Sequence, residues 1–471
     1  MSLPVSLGLG HTGRTVVGAI LGITGIAVLS AVVPGAALPL VVVLSVAAVA
    51  AGFAMRARPT MTTGFVLVVL LSFAAQGNDE GTDVFEVAFG VSLAFYIAVW
   101  YGTTMLGGRR FIRSESDVAL GLYLLGSVTI GVAVGASFGA FGVDFRSDLT
   151  CLLILSLFYP AREVCVRSPR GGLVVGGLLI LLGLYASAVN AATLYGALSG
   201  ATELYEVVDV RVSSGEIPMT ASLLLALAGL TAVTSRWGRI ALLGVVIASI
   251  GGLILAKSRG PWITALIGVG VIWVLLPPTS RRTVLSYFLL GGILTVGIAI
   301  LAIGNELFLI GIGLLRRLAS LSGAATGDVS LINRYAESAA TWADILQNPI
   351  LGYGWGAPVV RYDMIARGTH HWGFVHNGYL WIWHKVGLWG LLLFLAWFVG
   401  VMWQGVRAAR AGASAFDRSL AAGGAGALLA FAILGLPSNP FAVPDQVLAL
   451  ALVMALVSGT FERSRIAPQH P

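Results

Sequence analysis

Charged residues are scarce in this chain of 471 residues: 10% are Asp, Glu, Lys or Arg, whereas 57% are hydrophobic and the mean hydropathy is +0.92. A soluble globular domain carries about 25% charged residues. This shortage excludes a water-soluble protein and predicts a chain with many membrane-spanning helices. Lysine is almost absent, since Lys257 and Lys385 are the only two, so arginine carries nearly all of the formal net charge of +7.

Cysteine is also rare. Cys151 and Cys165 are the only two, and we expect them near opposite ends of one membrane segment, too far apart to form a disulfide. The N-terminal stretch, in which Arg14 precedes an apolar run, resembles a signal peptide. Because many further apolar segments follow, we expect it to be an uncleaved first helix.

Several motifs that mark catalytic or ligand sites are missing. The sequence has no Walker phosphate loop and no Asp-x-Asp pair, a common divalent-ion ligand pattern. Four of the six histidines fall between His370 and His384, but without cysteine partners or a His-Glu-x-x-His pattern. We therefore expect no metal, no cofactor and no nucleic-acid partner.

The apolar segments predict about fourteen transmembrane helices, because about 20 apolar residues cross a bilayer as a helix. The predicted spans are 15–33, 37–55, 62–76, 85–106, 117–137, 147–161, 171–195, 217–234, 239–256, 260–277, 283–304, 379–402, 419–436 and 445–461. The segment 147–161 is short, so it could be tilted or only half inserted. The expected fold is therefore all-α.

The basic residues give the orientation. If the segments alternate, 18 of the 28 basic residues fall on one side of the membrane. They are Arg14, Arg56, Arg58, Arg109, Arg110, Arg113, Arg162, Arg167, Arg170, Arg236, Arg239, Arg281, Arg282, Arg407, Arg410, Arg418, Arg463 and Arg465. Basic loops stay in the cytoplasm, which predicts that both termini are cytoplasmic and that one long loop, 305–375, is extracytoplasmic.

The long loop and the helix after it hold most of the polar and aromatic residues that could bind a ligand or take part in a reaction. Eight of the twelve tryptophans lie beyond residue 340. Polar groups are costly in lipid and concentrate where a function needs them. Within the loop, residues 331–347 have helical character, ended by Pro349 and the glycines after it. We expect the loop to contain short helices that lie on the outer surface.

Two arginines are candidate anion ligands. Arg259, in the stretch KSRGPW, could simply extend to the membrane interface. The positive-inside bias nevertheless disfavours Lys257 and Arg259 in a short outer loop, and a guanidinium binds phosphate oxygens in a bidentate manner. Arg334, in the stretch INRYAESAATW, could be a weak surface ion-pair partner of Glu337 or a second phosphate ligand.

His376, in the stretch VHNGYL, stands where the loop re-enters the membrane. A lone histidine at such a place is often a structural hydrogen-bonded residue, but a neutral imidazole is also what a general base needs.

Three stretches in this order resemble the O-antigen ligase and O-antigen polymerase superfamily of bacterial membrane glycosyltransferases. They are KSRGPW, then NR-x7-W-x5-NPILGYGWG, then HNGYLW-x5-GLWG, and the resemblance covers roughly residues 240–400. The family often has glutamine where Trp381 stands, which affects acceptor contacts rather than the chemistry.

The resemblance implies an enzyme that transfers a glycan from an undecaprenyl- or other polyprenyl-diphosphate donor to an acceptor hydroxyl, without metal and with inversion at the sugar. It implies that Arg259 and Arg334 bind the diphosphate and that His376 is the catalytic base. It also implies action at the outer face of the cytoplasmic (inner) membrane. The acceptor could be a glycan, a lipid or a protein, so ligase and polymerase both stay open.

Weaker substrate-binding candidates are Tyr335, Trp355, Trp372, Asn377 and Tyr379. Their aromatic rings could stack on sugars, or they could form an aromatic belt at the membrane interface among membrane lipids.

The expected organisation is 1–238 as N-terminal transmembrane helices, 239–402 as the ligase- or polymerase-like region with the loop 305–375, and 403–471 as C-terminal transmembrane helices. The alternative from another class is a multi-span transporter or flippase of lipid-linked sugars or drugs. Such proteins usually show repeated halves and broken helices at the midplane, which this sequence does not clearly show. A peptidoglycan-type polymerase is a third possibility.

Overall fold

The computed structural model describes residues 59–74, 84–108, 110–140, 143–168, 170–200, 215–303, 329–363, 367–412 and 414–466. The chain divides into two compact units, Met1–Gly102 and Thr103–Pro471. In the first unit, helix α1 (Pro59–Ala74) packs against helix α2 (Val84–Leu106), where the Tyr96 hydroxyl donates to the Met61 carbonyl at 3.3 Å.

The second unit is built mainly from helices. In chain order they are α3 (Glu115–Gly126), a π-helical turn (Ser127–Gly131), α4 (Val132–Ser137), α5 (Val143–Leu155), α6 (Phe158–Arg167), α7 (Gly171–Gly200), α8 (Glu216–Gly229), α9 (Arg236–Leu255), α10 (Arg259–Leu275), α11 (Pro278–Ile303), α12 (Val329–Gln347), α13 (Gly378–Ala411), α14 (Ala415–Leu434) and α15 (Pro444–Ile466). Two strands, β1 (Val359–Asp363) and β2 (Gly368–Trp372), lie between α12 and α13.

The helices confirm an all-α multi-pass membrane protein. Within the described ranges, nine helical stretches are long and apolar enough to cross a membrane, and three shorter apolar helices accompany them. Each of the twelve spans predicted from 62–76 onward coincides with one of these helices. The segment 147–161 belongs to a longer apolar stretch of 24 residues, Asp144–Arg167. The predicted spans 15–33 and 37–55 lie outside the described residues, so the count of fourteen stays a prediction.

Small residues allow the central helices to approach closely. A Cβ atom on Gly423 of α14 would lie 3.1 Å from the Leu224 carbonyl oxygen of α8, and one on Gly426 would lie 2.8 Å from the Gly268 carbonyl oxygen of α10. Close backbone contact of this kind is the usual role of glycine between membrane helices. These contacts join the middle of α14 to α8 and α10.

Helix α13 is interrupted at Gly387, whose φ of 74° is a left-handed value that favours glycine. The segment after α12 docks onto this interruption. The amides of Tyr353 and Gly354 donate to the carbonyls of His384 and Lys385, both at 2.8 Å, and the Leu388 amide donates to the Pro349 carbonyl at 2.9 Å. The carbonyls and amide at the break are therefore satisfied by a neighbouring segment.

Tyr353 adds a local anchor to this segment. Its hydroxyl donates to the Asp344 carbonyl at 3.0 Å, and its ring stacks on His384. Desolvation, and secondarily the nearby Asp344 carboxylate, raise the pKa of the Tyr353 phenol, so it stays a proton donor at neutral pH.

The predicted loop contains a helix and a β-hairpin. Helix α12 covers the predicted helical stretch 331–347. The expectation that the loop contains short helices did not include the hairpin, in which β1 pairs antiparallel with β2 and Arg361 lies opposite His370. The physical reason is the period-two pattern of VVRYD, whose Val359 and Arg361 are buried while Val360 and Tyr362 are exposed.

Candidate active site

Arg259 is the first residue of α10, at the helix end whose free amide groups and helix dipole are positive. The next residue holds this helix end against α14, because a Cβ atom on Gly260 would lie 2.8 Å from Leu434 Cδ1. A cationic side chain at a helix N-terminus is suited to an anion.

Arg334 lies on α12 and reaches the connection between α14 and α15. Its Nη1 donates to the Pro437 carbonyl at 2.7 Å. The Arg334 guanidinium therefore binds Pro437, which lies three residues after Leu434 in the chain. Leu434 is the residue that packs against the start of α10.

His376 precedes the first turn of α13, and this turn is bonded to the same connection. The Gly378 amide donates to the carbonyls of Gly435, at 2.9 Å, and Ser438, at 3.2 Å. The segment Leu434–Ser438 thus contacts the neighbourhoods of all three residues predicted to act together. The structure brings Arg259, Arg334 and His376 to one end of the helical bundle, although Arg259 and His376 are more than a hundred positions apart in the sequence.

Glu337 is a site residue that the sequence interpretation missed. Its Oε2 lies 2.7 Å from His376 Nδ1, and its Oε1 accepts a hydrogen bond from the His376 amide at 3.2 Å. The sequence suggested a local pair with Arg334, three residues earlier on the same helix. Its partner His376 lies 39 residues later, so no local spacing could reveal the contact.

Arg361 completes this cluster from strand β1. Its Nη2 lies 3.5 Å from Glu337 Oε1, and both side chains are almost fully buried. The Arg361 guanidinium also lies 4.9 Å from the centre of the Trp372 ring, a cation–π geometry. Arg361 was not among the residues singled out from the sequence.

The two faces of α12 reverse the usual polarity of a surface helix. Its buried face includes Asn333, Glu337 and Thr341, whereas a stripe of apolar residues on the other side is exposed. The stripe consists of Ile332, Tyr335, Trp342 and Leu346. Trp342 packs edge-on against Trp383 of the apolar helix α13, with ring centres 5.3 Å apart. This continuity places the stripe on the same apolar surface as a membrane-spanning helix.

Four of the weaker substrate-binding candidates are at least partly accessible. Tyr335 is 68% and Trp372 is 38% exposed. Asn377 caps α13, since its Oδ1 accepts from the amides of Tyr379 and Leu380, both at 3.1 Å. The Tyr379 hydroxyl donates to the Ala432 carbonyl at 2.8 Å. The cap and the tyrosine bond give Asn377 and Tyr379 structural roles beside any contact with substrate.

Trp355 is in a different situation. It is 1% exposed, its indole N–H donates to the Ser127 carbonyl at 2.9 Å, and its ring packs near Trp381. A ring enclosed in this way contacts protein on its faces. Its position argues against the expected stacking of Trp355 on a sugar.

A small cleft lies between α8, α10 and α14, next to the start of α10. It has an empty volume of about 180 Å³ and is lined mainly by apolar side chains with two threonines. The lining includes Ile217, Thr220, Thr264, Ala430, Phe431 and Leu434. A cleft of this composition suits a hydrocarbon chain better than a polar ligand.

Among the residues that the structure describes, no group of three or more His, Cys, Asp or Glu side chains could hold a metal ion. Arg259, Arg334 and Arg361 each place a positive charge at this end of the bundle, and that of Arg361 is paired with Glu337.

The apolar helices define a multi-pass membrane protein, and the polar cluster is a candidate active site at one end of its helical bundle. Residues 243–395, about a third of the chain, match the model of the protein family described as O-antigen ligase. This match confirms the resemblance to the O-antigen ligase and polymerase superfamily, and the family implies a glycosyltransferase-like enzyme activity. The matched residues contain Arg259, Arg334, Glu337, Arg361 and His376. No curated protein matches the chain.

Proposed function

We propose that the protein transfers a glycan from a polyprenyl-diphosphate donor to an acceptor hydroxyl at the outer face of the cytoplasmic membrane. The observation that carries the proposal is that the segment Leu434–Ser438 contacts Arg334, the residue after Arg259 and the helix turn that follows His376. The family match covers Arg259, Arg334 and His376. The positive charges of the two arginines are opposite in sign to the diphosphate of a lipid-linked glycan.

The reaction requires two kinds of group, and this cluster has both. The acceptor oxygen attacks the anomeric carbon, the bond between that carbon and the diphosphate oxygen breaks, and the configuration inverts. The departing diphosphate gains negative charge, which fixed cations stabilise in the transition state. Arg259 and Arg334 take this role. His376 accepts the proton of the acceptor hydroxyl as it attacks.

The donor's lipid part has a place in the same proposal. In this proposal the first isoprene units lie against the apolar helix surface near the start of α10, while the diphosphate lies at the helix N-terminus with Arg259. The lipid then approaches from the bilayer, and the sugar faces His376. The acceptor is a hydroxyl of another lipid-linked repeat, a lipid or a protein.

The transporter alternative receives less support. Its main structural argument is a buried charge pair inside the bundle, Asp148 with Lys385, because such residues mark substrate pathways in many transporters. Both residues, however, lie within the first eight residues of their apolar helices, Asp144–Arg167 and Gly378–Ala411. They therefore lie near a helix end rather than at the midplane where transporters bind their cargo.

The test uses purified full-length protein and a defined lipid-diphosphate glycan. Donor affinity and single-turnover transfer are measured for Arg259→Ala, Arg334→Ala and His376→Ala. Each arginine variant should weaken donor binding by about 10- to 150-fold, which corresponds to about 1.5–3 kcal/mol for one charge-assisted hydrogen bond. Lysine should restore binding only in part, because it lacks the planar fork.

The histidine variant separates catalysis from packing. His376→Ala should leave donor affinity nearly unchanged and lower transfer by about 10²–10⁴-fold. Arg282→Ala is a matched control, because Arg282 lies beyond the opposite end of α10, in the first turns of α11, and should retain normal binding and transfer. Wild-type transfer by folded His376→Ala protein would refute the catalytic role.

A further inference from the structure

We propose that Glu337 and Arg361 are a positioning pair that holds the ring of His376 with Nε2 as its basic nitrogen. The inference deepens the proposed function, in which His376 receives the acceptor's proton. The roles proposed for Arg259, Arg334 and His376 do not by themselves require Glu337 or Arg361. The inference gives these two residues the task of fixing the protonated nitrogen and the orientation of the His376 ring.

The first step is the geometry of the Glu337 carboxylate. Both of its oxygens bind the same residue, since Oε2 lies 2.7 Å from the His376 ring nitrogen Nδ1 and Oε1 accepts from the His376 amide at 3.2 Å. An ionised carboxylate can only accept hydrogen bonds. Nδ1 must therefore carry the proton, and the lone pair of a neutral ring is left on Nε2.

The second step is the charge of Glu337. The residue is 1% exposed, and a buried carboxylate is stable as an anion only when it is paired. Arg361 supplies the partner, with Nη2 at 3.5 Å from Oε1. The guanidinium is itself held by the Trp372 ring, 4.9 Å away, and by the inward direction of its strand position.

The third step is what the pair does during the reaction. Before proton transfer, the charges of Arg361 and Glu337 cancel beside a neutral His376. After transfer, the imidazolium lies against the Glu337 carboxylate, which stabilises it. The His376 side chain is 29% exposed, so the substrate can reach it while Glu337 remains enclosed. A positioned carboxylate of this kind fixes both the tautomer and the orientation of a histidine base.

A purely structural role for Glu337 makes a different prediction. If Glu337 only joined α12 to the turn before α13, Gln would serve nearly as well, because it has the same shape, can still accept the bond from the His376 amide and can bond to the ring through its own N–H₂. In the positioning role Gln fails. Its amide N–H₂ can donate to Nδ1, which moves the ring proton to Nε2 and removes the basic lone pair from the reacting side.

The experiment compares Glu337→Gln, Glu337→Asp and wild-type full-length protein. With bound donor, single-turnover transfer by Glu337→Gln should fall by about 10²-fold or more, while donor affinity stays unchanged. Glu337→Asp, which keeps the charge, should recover part of this loss. The matched control is Glu462→Gln, because Glu462 pairs with Arg113 at the opposite end of the bundle, and this variant should transfer normally.

A second readout needs no substrate. In protein labelled with ¹⁵N-histidine, the ring nitrogens of His376 report the tautomer, and the signal that disappears in His376→Gln gives the assignment. Wild-type protein should show the Nδ1–H form, and Glu337→Gln should shift it toward the Nε2–H form. Arg361→Gln should shift it in the same direction, because the loss of the guanidinium favours a neutral Glu337.

The two readouts separate this inference from the proposed function. An unchanged tautomer in folded Glu337→Gln, or wild-type transfer by it, overturns the positioning pair. If His376→Ala transfers glycan normally, the catalytic role of His376 fails, and the tautomer measurement still decides whether Glu337 and Arg361 position the ring. If Glu337→Gln does not fold, the Glu337→Asp and Arg361→Gln variants provide the same two measurements.

Discussion

Lys385 Nζ lies 3.0 Å from Asp148 Oδ2, and both side chains are almost completely buried. Two backbone groups complete the pair, because the Gly356 amide donates to Asp148 Oδ2 and Lys385 Nζ donates to the Ala357 carbonyl, both at 2.8 Å. The pair therefore ties α5, the segment after α12 and α13 together. Buried charges of this kind are tolerated only when every partner is present.

Removing one partner should strongly destabilise the fold. Lys385→Met leaves the Asp148 carboxylate buried without its cation, at a cost of about 3–5 kcal/mol. Thermal unfolding in detergent measures the loss. Replacing both residues, as Lys385→Met with Asp148→Leu, should recover much of it. As a control, Glu163→Gln breaks the partly exposed pair with Arg167 and should cost about 0.5 kcal/mol or less. Additive single and double effects would show that the pair is not coupled.

The interruption of α13 gives the second prediction. Gly387→Ala should unfold the docked segment, because a Cβ atom there meets the Ile350 carbonyl and the backbone conformation is nearly exclusive to glycine. Limited proteolysis should then cut the segment 348–357. Gly270→Ala, at a helical glycine with open space around its Cβ, is the control and should leave the protein intact. Equal resistance of both variants would contradict the docking role.

Metal independence is the third prediction. Glycan transfer should continue in the presence of EDTA, because arginines rather than a divalent ion compensate the diphosphate charge. Transfer by purified protein is measured before and after chelation. A loss of turnover that magnesium or manganese restores would mean that the site uses a cation after all.

Orientation in the membrane is the fourth prediction. A cysteine at position 362, where Tyr362 is 57% exposed, should react with an impermeant maleimide from the outer side of intact cells. A cysteine at position 466, where Ile466 is 65% exposed, should react only after the membrane is opened. Cys151 and Cys165 are buried, which keeps the background low. If position 466 were labelled in intact cells and position 362 only after the membrane is opened, the predicted orientation would be wrong.

The sequence predicted most of the helices because each is a long apolar run, and length alone identifies a span. It also predicted that Arg259, Arg334 and His376 belong together, but through the order of three stretches rather than through any distance. The shared contact of their neighbourhoods with Leu434–Ser438 depends on how α10, α14 and α13 pack. No local pattern of residues encodes that packing.

The buried partners were harder to predict for a physical reason. Glu337 and Arg361 have ordinary neighbours in the sequence, and each balances an opposite charge within the loop. Their function depends on burial, which decides whether a charge is screened or must be paired. Trp355 shows the converse, because an indole in a loop suggests an exposed platform until its N–H is seen bonded to Ser127.

The hairpin that carries Arg361 also limits how this region can change in length. Along a strand, neighbouring residues point to opposite sides, so inserting or deleting one residue inside β1 exchanges the sides. Tyr362 or Val360 would then point inward, and the guanidinium would face outward. Extra residues between Asp363 and Gly368 leave the order of both strands intact. The connection between the two strands can therefore vary in length without disturbing the site. The strands themselves can accept substitutions but not single-residue insertions.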